Sequence, residues 1–282
     1  MKLVRLIFTA ACVVLAVGAV PAWDRNAASA AAPAVTKARP SLTPHKATYE
    51  LSLLRAAPGD GVRAARGTMV YTLADRCDGY TIESSVAMNL SYAGGNDQKV
   101  DQRYAAWEAK SGRFSSFTMQ TLENNEPAKT YRGTITLDAD GSGTATYEAD
   151  KTTKFELAPG TMLSTAHTVA LLENAAAGKK FFSREVIDGS FDQGPFLVTA
   201  LIPTSREGRA AQDKESLGAM TGGRFWPMSL AYFSTSAKTT TPEYELGMEL
   251  LPSGISRSMT QDFGTFSIGF RLVEIEQLKP EC

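Results

Sequence analysis

Glu243-Tyr244-Glu245-Leu246-Gly247-Met248-Glu249-Leu250 alternates strictly. Tyr, Leu, Met and Leu fall on one face, and Glu, Glu, Gly and Glu on the other. A period of two is the signature of a half-buried strand, because successive side chains point to opposite sides of a pleated sheet. Thr130-Tyr131-Arg132-Gly133-Thr134-Ile135-Thr136-Leu137 repeats the pattern, as do the runs starting at Thr68 and Phe266. Between the runs stand turn formers: Pro58-Gly59-Asp60-Gly61, Asp78-Gly79, Gly94-Gly95-Asn96-Asp97 and Pro252-Ser253-Gly254. Strands joined by short turns are antiparallel neighbours.

Working outward from these runs, the chain reads as about fourteen strands, the first starting near residue 45 and the last near 266. One segment breaks the period. Met162, Leu163, Ala166, Val169, Ala170 and Leu172 recur at helical spacing, with Gly178 just beyond. A glycine there suits a helix C-terminus, so a helix is expected over 162–177. Its broad, Ala-rich apolar face should pack on the sheet. The polar stretch 205–223 reads as a long loop. Fourteen strands do not suit a flat open sheet, which curls, closes or splits. With a single helix crossing it, an antiparallel β-spiral or incompletely closed barrel is expected. An outer-membrane barrel fits poorly, because Glu243, Glu245 and Glu249 would put charge into hydrocarbon.

The N-terminal region reads as an address. Lys2 and Arg5 precede an uncharged, almost wholly apolar run over 6–20, followed by Ala28-Ser29-Ala30. That is the pattern of a secretory signal peptide over 1–30, with cleavage after Ala30 or, alternatively, at Val20-Pro21-Ala22. The run is short for a membrane span, which needs about 20 residues. Cys12 lies inside the apolar run, not at its end, which argues against lipidation. Residues 31–41 read as a flexible leader and 42–282 as one β domain. Removal of 1–30 leaves 26 basic and 29 acidic side chains, a net charge of -3. Such a chain has no bulk attraction for nucleic acid or for an acidic membrane. The expected compartment is the periplasm, reached with the signal peptide removed.

Two cysteines then remain, Cys77 and Cys282. They have one pairing available, and an oxidising compartment sustains it; the alternative is two buried free thiols. No C-x-x-C spacing points to redox catalysis.

Candidates for chemistry are few. Two His and three Cys cannot build a His-rich or all-cysteine metal site. Asp138-Ala139-Asp140-Gly141-Ser142-Gly143 begins like a calcium loop, but Ala149 stands where the bidentate Glu belongs, so a hairpin turn is expected. His167 could serve a nucleophile, yet no G-x-S-x-G elbow presents one. His45 reads as structural. Asp188, Asp192, Glu243, Glu245 and Asp262 could supply a carboxylate pair, although nothing in the sequence brings two of them together. No glycine-rich phosphate cradle occurs. The aromatic stretch Phe225 to Phe233 reads as core. Neither catalytic residues nor a cofactor or metal are expected.

Several short motifs, in order, resemble those of one periplasmic family. They are Leu42-Thr43-Pro44-His45-Lys46-Ala47-Thr48-Tyr49-Glu50-Leu51, Cys77-Asp78-Gly79-Tyr80, His167-Thr168, Asp188-Gly189-Ser190 and Leu230-Ala231-Tyr232-Phe233. They continue with Pro242-Glu243-Tyr244-Glu245, Gly254-Ile255-Ser256-Arg257, Asp262-Phe263-Gly264 and the terminal Pro280-Glu281-Cys282. The chain over 42–282 resembles the EipB family of cell-envelope-integrity proteins. Mild departures are Glu50, where Asp is usual, and Phe263, where Tyr is common. The resemblance implies a soluble periplasmic monomer folded as a β-spiral crossed by a helix, with a disulfide between Cys77 and Cys282. It implies a non-enzymatic part in keeping the envelope intact under stress. Its shape is similar to that of lipoprotein carriers, so the expected partners are a lipid or lipoprotein ligand or a periplasmic protein.

Overall fold

The computed structural model describes residues 40–281, apart from 60, 96, 209–216, 218, 219 and 237–239. The expected signal peptide, its expected cleavage sites and Cys282 therefore lie outside the described residues. The first half is a meander of long strands: β1 (His45–Ala56), β2 (Val62–Asp75), β3 (Gly79–Tyr92), β4 (Gln98–Ala109), β5 (Phe114–Glu123) and β6 (Glu126–Leu137). Two shorter ones follow, β7 (Gly143–Glu148) and β8 (Thr152–Leu157). A two-residue strand, β9 (Met162–Leu163), leads directly into helix α1 (Ser164–Ala176). The second half comprises β10 (Phe181–Ile187), β11 (Phe196–Leu201), β12 (Arg206–Gly208), β13 (Gly223–Ser234), β14 (Tyr244–Leu250), β15 (Ser256–Asp262) and β16 (Phe266–Gln277).

All but β12 lie in one path, ordered β8-β7-β6-β5-β4-β3-β2-β1-β16-β15-β14-β13-β11-β10-β9, with β12 paired to β13. Every ladder is antiparallel except β9 with β10. Among the described residues no ladder joins β8 to β9, so the barrel is incompletely closed. The fourteen expected strands are all present, and the two additions, β9 and β12, are the shortest.

Register explains which residues are buried. Ala47 pairs with Tyr71 and with Ile275, and Tyr71 with Ser84. Met248 pairs with Met228 on one side and Met259 on the other. One face of the whole sheet is thus carried by the apolar half of each alternating run, as the β14 pattern predicts. Burying that face is what makes the sheet curl.

The curl encloses α1. Leu171, Leu172 and Ala175 pack in one cluster with Leu73 and Ile82 of the first half and Val198, Met228 and Leu230 of the second. A helix that touches both halves needs apolar residues around much of its girth, and the Ala-rich sequence supplies them. It stops as expected. Gly178 takes φ +74, and Gly178 N–H and Lys179 N–H donate to the carbonyls of Ala175 and Asn174. That paired bonding satisfies the last helical carbonyls and requires a left-handed residue.

Two expectations need correcting. The helix does not begin at 162: Met162 and Leu163 pair in parallel with Val186 and Ile187 instead. Tertiary pairing takes those two residues, and the helix starts where its free N–H groups find a buried acceptor. The 205–223 stretch is not loop throughout. Arg206–Gly208 forms β12 against β13, and Leu217 and Thr221 are helical and buried. The stretch from Phe225 is core as expected, with Phe225, Trp226, Met228 and Leu230 all buried. Asp138 to Gly143 is the β6–β7 hairpin turn, closed by Asp138 N–H to the Ser142 carbonyl.

Candidate functional site

Where α1 fails to fill the curl, a cavity of about 250 Å³ remains. Its walls come from β1, β2, β13, β14 and β15 and from one side of α1. Leu42, Met69, Leu246, Met248 and Met259 make it largely apolar. His45, Tyr71, His167, Thr168, Asp188 and Tyr232 supply polar groups.

Glu108 fixes the helix that forms one wall. It sits on the inward face of β4, fully buried. Its Oε2 accepts bonds from Thr165 N–H at 2.9 Å and Thr165 Oγ1 at 2.6 Å. A carboxylate at a helix N-terminus satisfies free donors and meets the positive end of the dipole. Helix capping residues normally come from the chain just ahead of the helix, but here Leu163 offers no side-chain bond. Burial raises the Glu108 carboxyl to about 7, against the pull of the Thr165 bonds, and the Asp188 charge adds to the rise.

Asp188 opens the loop between β10 and β11. It lies deep yet keeps accessible surface, because it borders the cavity. Its Oδ1 accepts from Ser190 N–H at 2.8 Å and Ser190 Oγ at 2.7 Å. Burial raises its pKa, opposed by those bonds. The loop is held across the curl by tyrosines of the first half. The Tyr104 hydroxyl donates to the Asp188 carbonyl, and the Tyr131 hydroxyl to the Ser190 carbonyl. Gly189 lies face-on to Phe117: at φ +80, an added Cβ would sit 2.4 Å from the ring. Gly189→Ala is therefore expected to cost about 2 kcal/mol, from left-handed backbone strain and core overpacking. Thermal unfolding checks it: an unchanged melting temperature would show that the loop yields freely.

His167 lies in α1, 4 % exposed, and stacks on Phe182 at 5.6 Å. Its Nε2 is buried with no hydrogen-bond partner, and burial lowers its pKa to about 4. His45 donates its Nδ1–H to the Thr43 carbonyl, 2.8 Å away. Burial lowers its pKa too. Both rings are thus uncharged near neutral pH.

An aromatic ladder runs from the cavity wall to the surface. Tyr232 stacks on Tyr244 at 4.4 Å, and Tyr244 meets Phe191 at 5.8 Å and Phe263 at 6.4 Å. Phe191 and Phe263 are 38 % and 40 % exposed.

The other sequence candidates do not gather here. Asp192 pairs with Lys129 at 2.6 Å, and Asp262 with Arg55 at 2.9 Å, both near the surface. Glu243 and Glu245 are exposed. Among the described residues no three His, Cys, Asp or Glu are placed to hold a metal ion. Cys77 Sγ lies 3.4 Å from the Glu281 carbonyl oxygen. Glu108 escaped the reading from sequence, though a signal existed: in Ala106-Trp107-Glu108 the carboxylate shares the inward face with Ala106.

Comparison with known proteins agrees with this architecture. The model of the EipB-like family matches residues 36–279. The chain belongs to the EipB-like family. It is 27 % identical over 256 residues to the cell envelope integrity protein EipB of Brucella abortus, covering 90 % of this chain and 89 % of that one. It is also similar to a solved β-barrel-like protein of a domain of unknown function from Brucella abortus. That match has a TM-score of 0.78 and 28 % identity, over 85 % of this chain and 99 % of the other.

Proposed function

We propose that the protein is a non-enzymatic periplasmic component that supports cell-envelope integrity by enclosing an apolar or amphipathic envelope molecule within its curved sheet. The observation that carries this reading is the cavity between α1 and the inner face, walled by methionine and leucine. Methionine suits a site that adapts to a flexible guest. An apolar chain gains about 0.8 kcal/mol per CH2 taken from water, before the costs of association. The name of the Brucella relative supports the envelope role. A catalytic reading is weaker: His167, held near a pKa of 4, is a poor base at neutral pH.

The same proposal pairs Cys77 with Cys282. Glu281, the residue before Cys282, supports it: Glu281 N–H bonds the Asp75 carbonyl at 3.0 Å, and its carboxylate pairs with Arg76. These contacts bring Glu281 to the β2–β3 turn that carries Cys77.

One observation favours a second reading, a scaffold acting only through protein contacts. The outer face of β1 to β7 carries a hollow of about 1330 Å³, bordered by Lys46, Glu83, Arg103, Arg132 and Glu148. A broad surface of mixed charge suits a protein partner.

Native mass spectrometry of protein taken from the periplasm, followed by solvent extraction, tests the first reading. A lipid-sized adduct that the solvent releases is expected. A bare polypeptide mass with no extractable lipid sinks it, and periplasmic crosslinks confined to the outer hollow would favour the scaffold.

A further inference from the structure

The proposed function leaves the chemical class of the guest open, and the cavity narrows it. We infer that the guest is a single-chain amphiphile with an uncharged, hydroxyl-like head, read by the hydroxyls of Tyr71 and Tyr232. This rests on the enclosing role proposed above.

Size sets the first limit. An apolar cavity of about 150 Å³ takes one benzene ring. By proportion, 250 Å³ takes a guest of about ten carbons. That is one short chain or the end of one longer chain. It is too small for the paired tails of a phospholipid or for the lipid cluster of a lipoprotein.

Charge sets the second limit. No Lys or Arg lines the cavity. The charged side chain on its wall is a carboxylate, Asp188, and a second, Glu108, lies one hydrogen bond beyond Thr165. His45 and His167 offer no positive charge, since burial keeps both neutral. An anionic head would be desolvated with no cation to meet it, and beside like charge. Asp188 already receives two bonds from Ser190, so it makes no strong demand for a cationic head.

Polar groups set the third. Tyr71 and Tyr232 are half-buried on the cavity wall, and neither hydroxyl has a protein partner among the described residues. Tyr49, on the same wall, is different: its hydroxyl donates to the Ser256 carbonyl at 2.8 Å. A phenol that both donates and accepts is matched by a guest hydroxyl, which does the same.

The test is titration calorimetry on the oxidised, delipidated protein with 1-decanol, with decane, with decanoate at pH 8, and with vesicles of dioleoylphosphatidylcholine. Decanol is expected to bind at least tenfold more tightly than decanoate. The double variant Tyr71→Phe/Tyr232→Phe removes two hydroxyls and keeps both rings. It is expected to weaken decanol about tenfold, the loss of two ordinary hydrogen bonds, and to leave decane unchanged. Met248→Trp, which fills the cavity, should abolish decanol and decane binding together. Decanoate binding as tightly as decanol overturns the inference, as does decanol binding that ignores the double variant. If the single chains fail while vesicle phospholipid is taken up, this inference falls and the enclosing role stands. If nothing apolar binds, both fall.

Discussion

Replacing Cys77 with Ser is expected to cost the fold several kcal/mol, up to roughly 5 kcal/mol. The proposed Cys77–Cys282 bond closes a loop of about 200 residues, and in the chain-entropy model such a loop gives a figure of that size as an upper value. The local setting makes the tail depend on the bond. Beyond β16 the last residues run without strand pairing, held by Leu278 N–H to the Pro44 carbonyl at 3.0 Å and by the Glu281 contacts at Asp75 and Arg76. Those contacts are near the surface, where an ion pair alone contributes 1 kcal/mol or less. Urea unfolding of wild type, wild type with dithiothreitol, and Cys77→Ser checks the prediction. The reduced protein and the variant should share one lowered midpoint. A variant as stable as the oxidised wild type would remove the bond from the account.

Glu108→Gln is expected to give the second large effect, with a sign that depends on pH. The folded carboxyl sits at about 7, and a free glutamate titrates at 4.5. Below about pH 4.5 it is protonated in both folded and unfolded chains, and nothing is lost. As pH rises from 4.5 to 7 the unfolded chain ionises first, so wild type loses stability. Above 7 the loss is complete, on the order of 3 kcal/mol at about 1.4 kcal/mol per unit. Glutamine keeps a carbonyl to accept from Thr165 and does not titrate. The variant should match wild type near pH 4 and exceed it by that amount near pH 8. His167 works the other way. Its lowered pKa takes stability from both proteins as pH falls from 6.5 toward 4, and it cancels in the comparison. An advantage that does not grow between pH 4 and pH 8 would show that Glu108 is ionised at little cost where it stands.

The strands were legible because register and burial obey one rule. Once Tyr244, Leu246, Met248 and Leu250 are assigned to the inner face, the ladder carries that face to Met228 and Met259 and onward round the sheet. The helix was legible for the same reason, with its stop at Gly178. Its start was not, because Met162 and Leu163 obey a pairing with Val186 and Ile187 that no local pattern announces. The cavity was illegible for a related reason. Tyr71, Asp188 and Tyr232 come from β2, the β10–β11 loop and β13, and only the curl of the sheet brings them to one wall. His167 reads from sequence as a base without a nucleophile and His45 as structural, whereas their place in the fold makes both neutral wall residues.

The strand order sets a timetable. From β1 to β8, and again from β10 to β16, nearly every strand pairs with its neighbour in sequence, so each meander can assemble as the chain arrives. The β1–β16 seam is different: it joins His45 to Gln277. Contacts between such distant residues are slow to form. A chain threaded through a membrane from its N-terminus would hold β1 with one edge bare until its final strand emerged. Finishing the fold would then wait on β16, and a chain truncated before β16 would carry an open edge ready to pair with another copy.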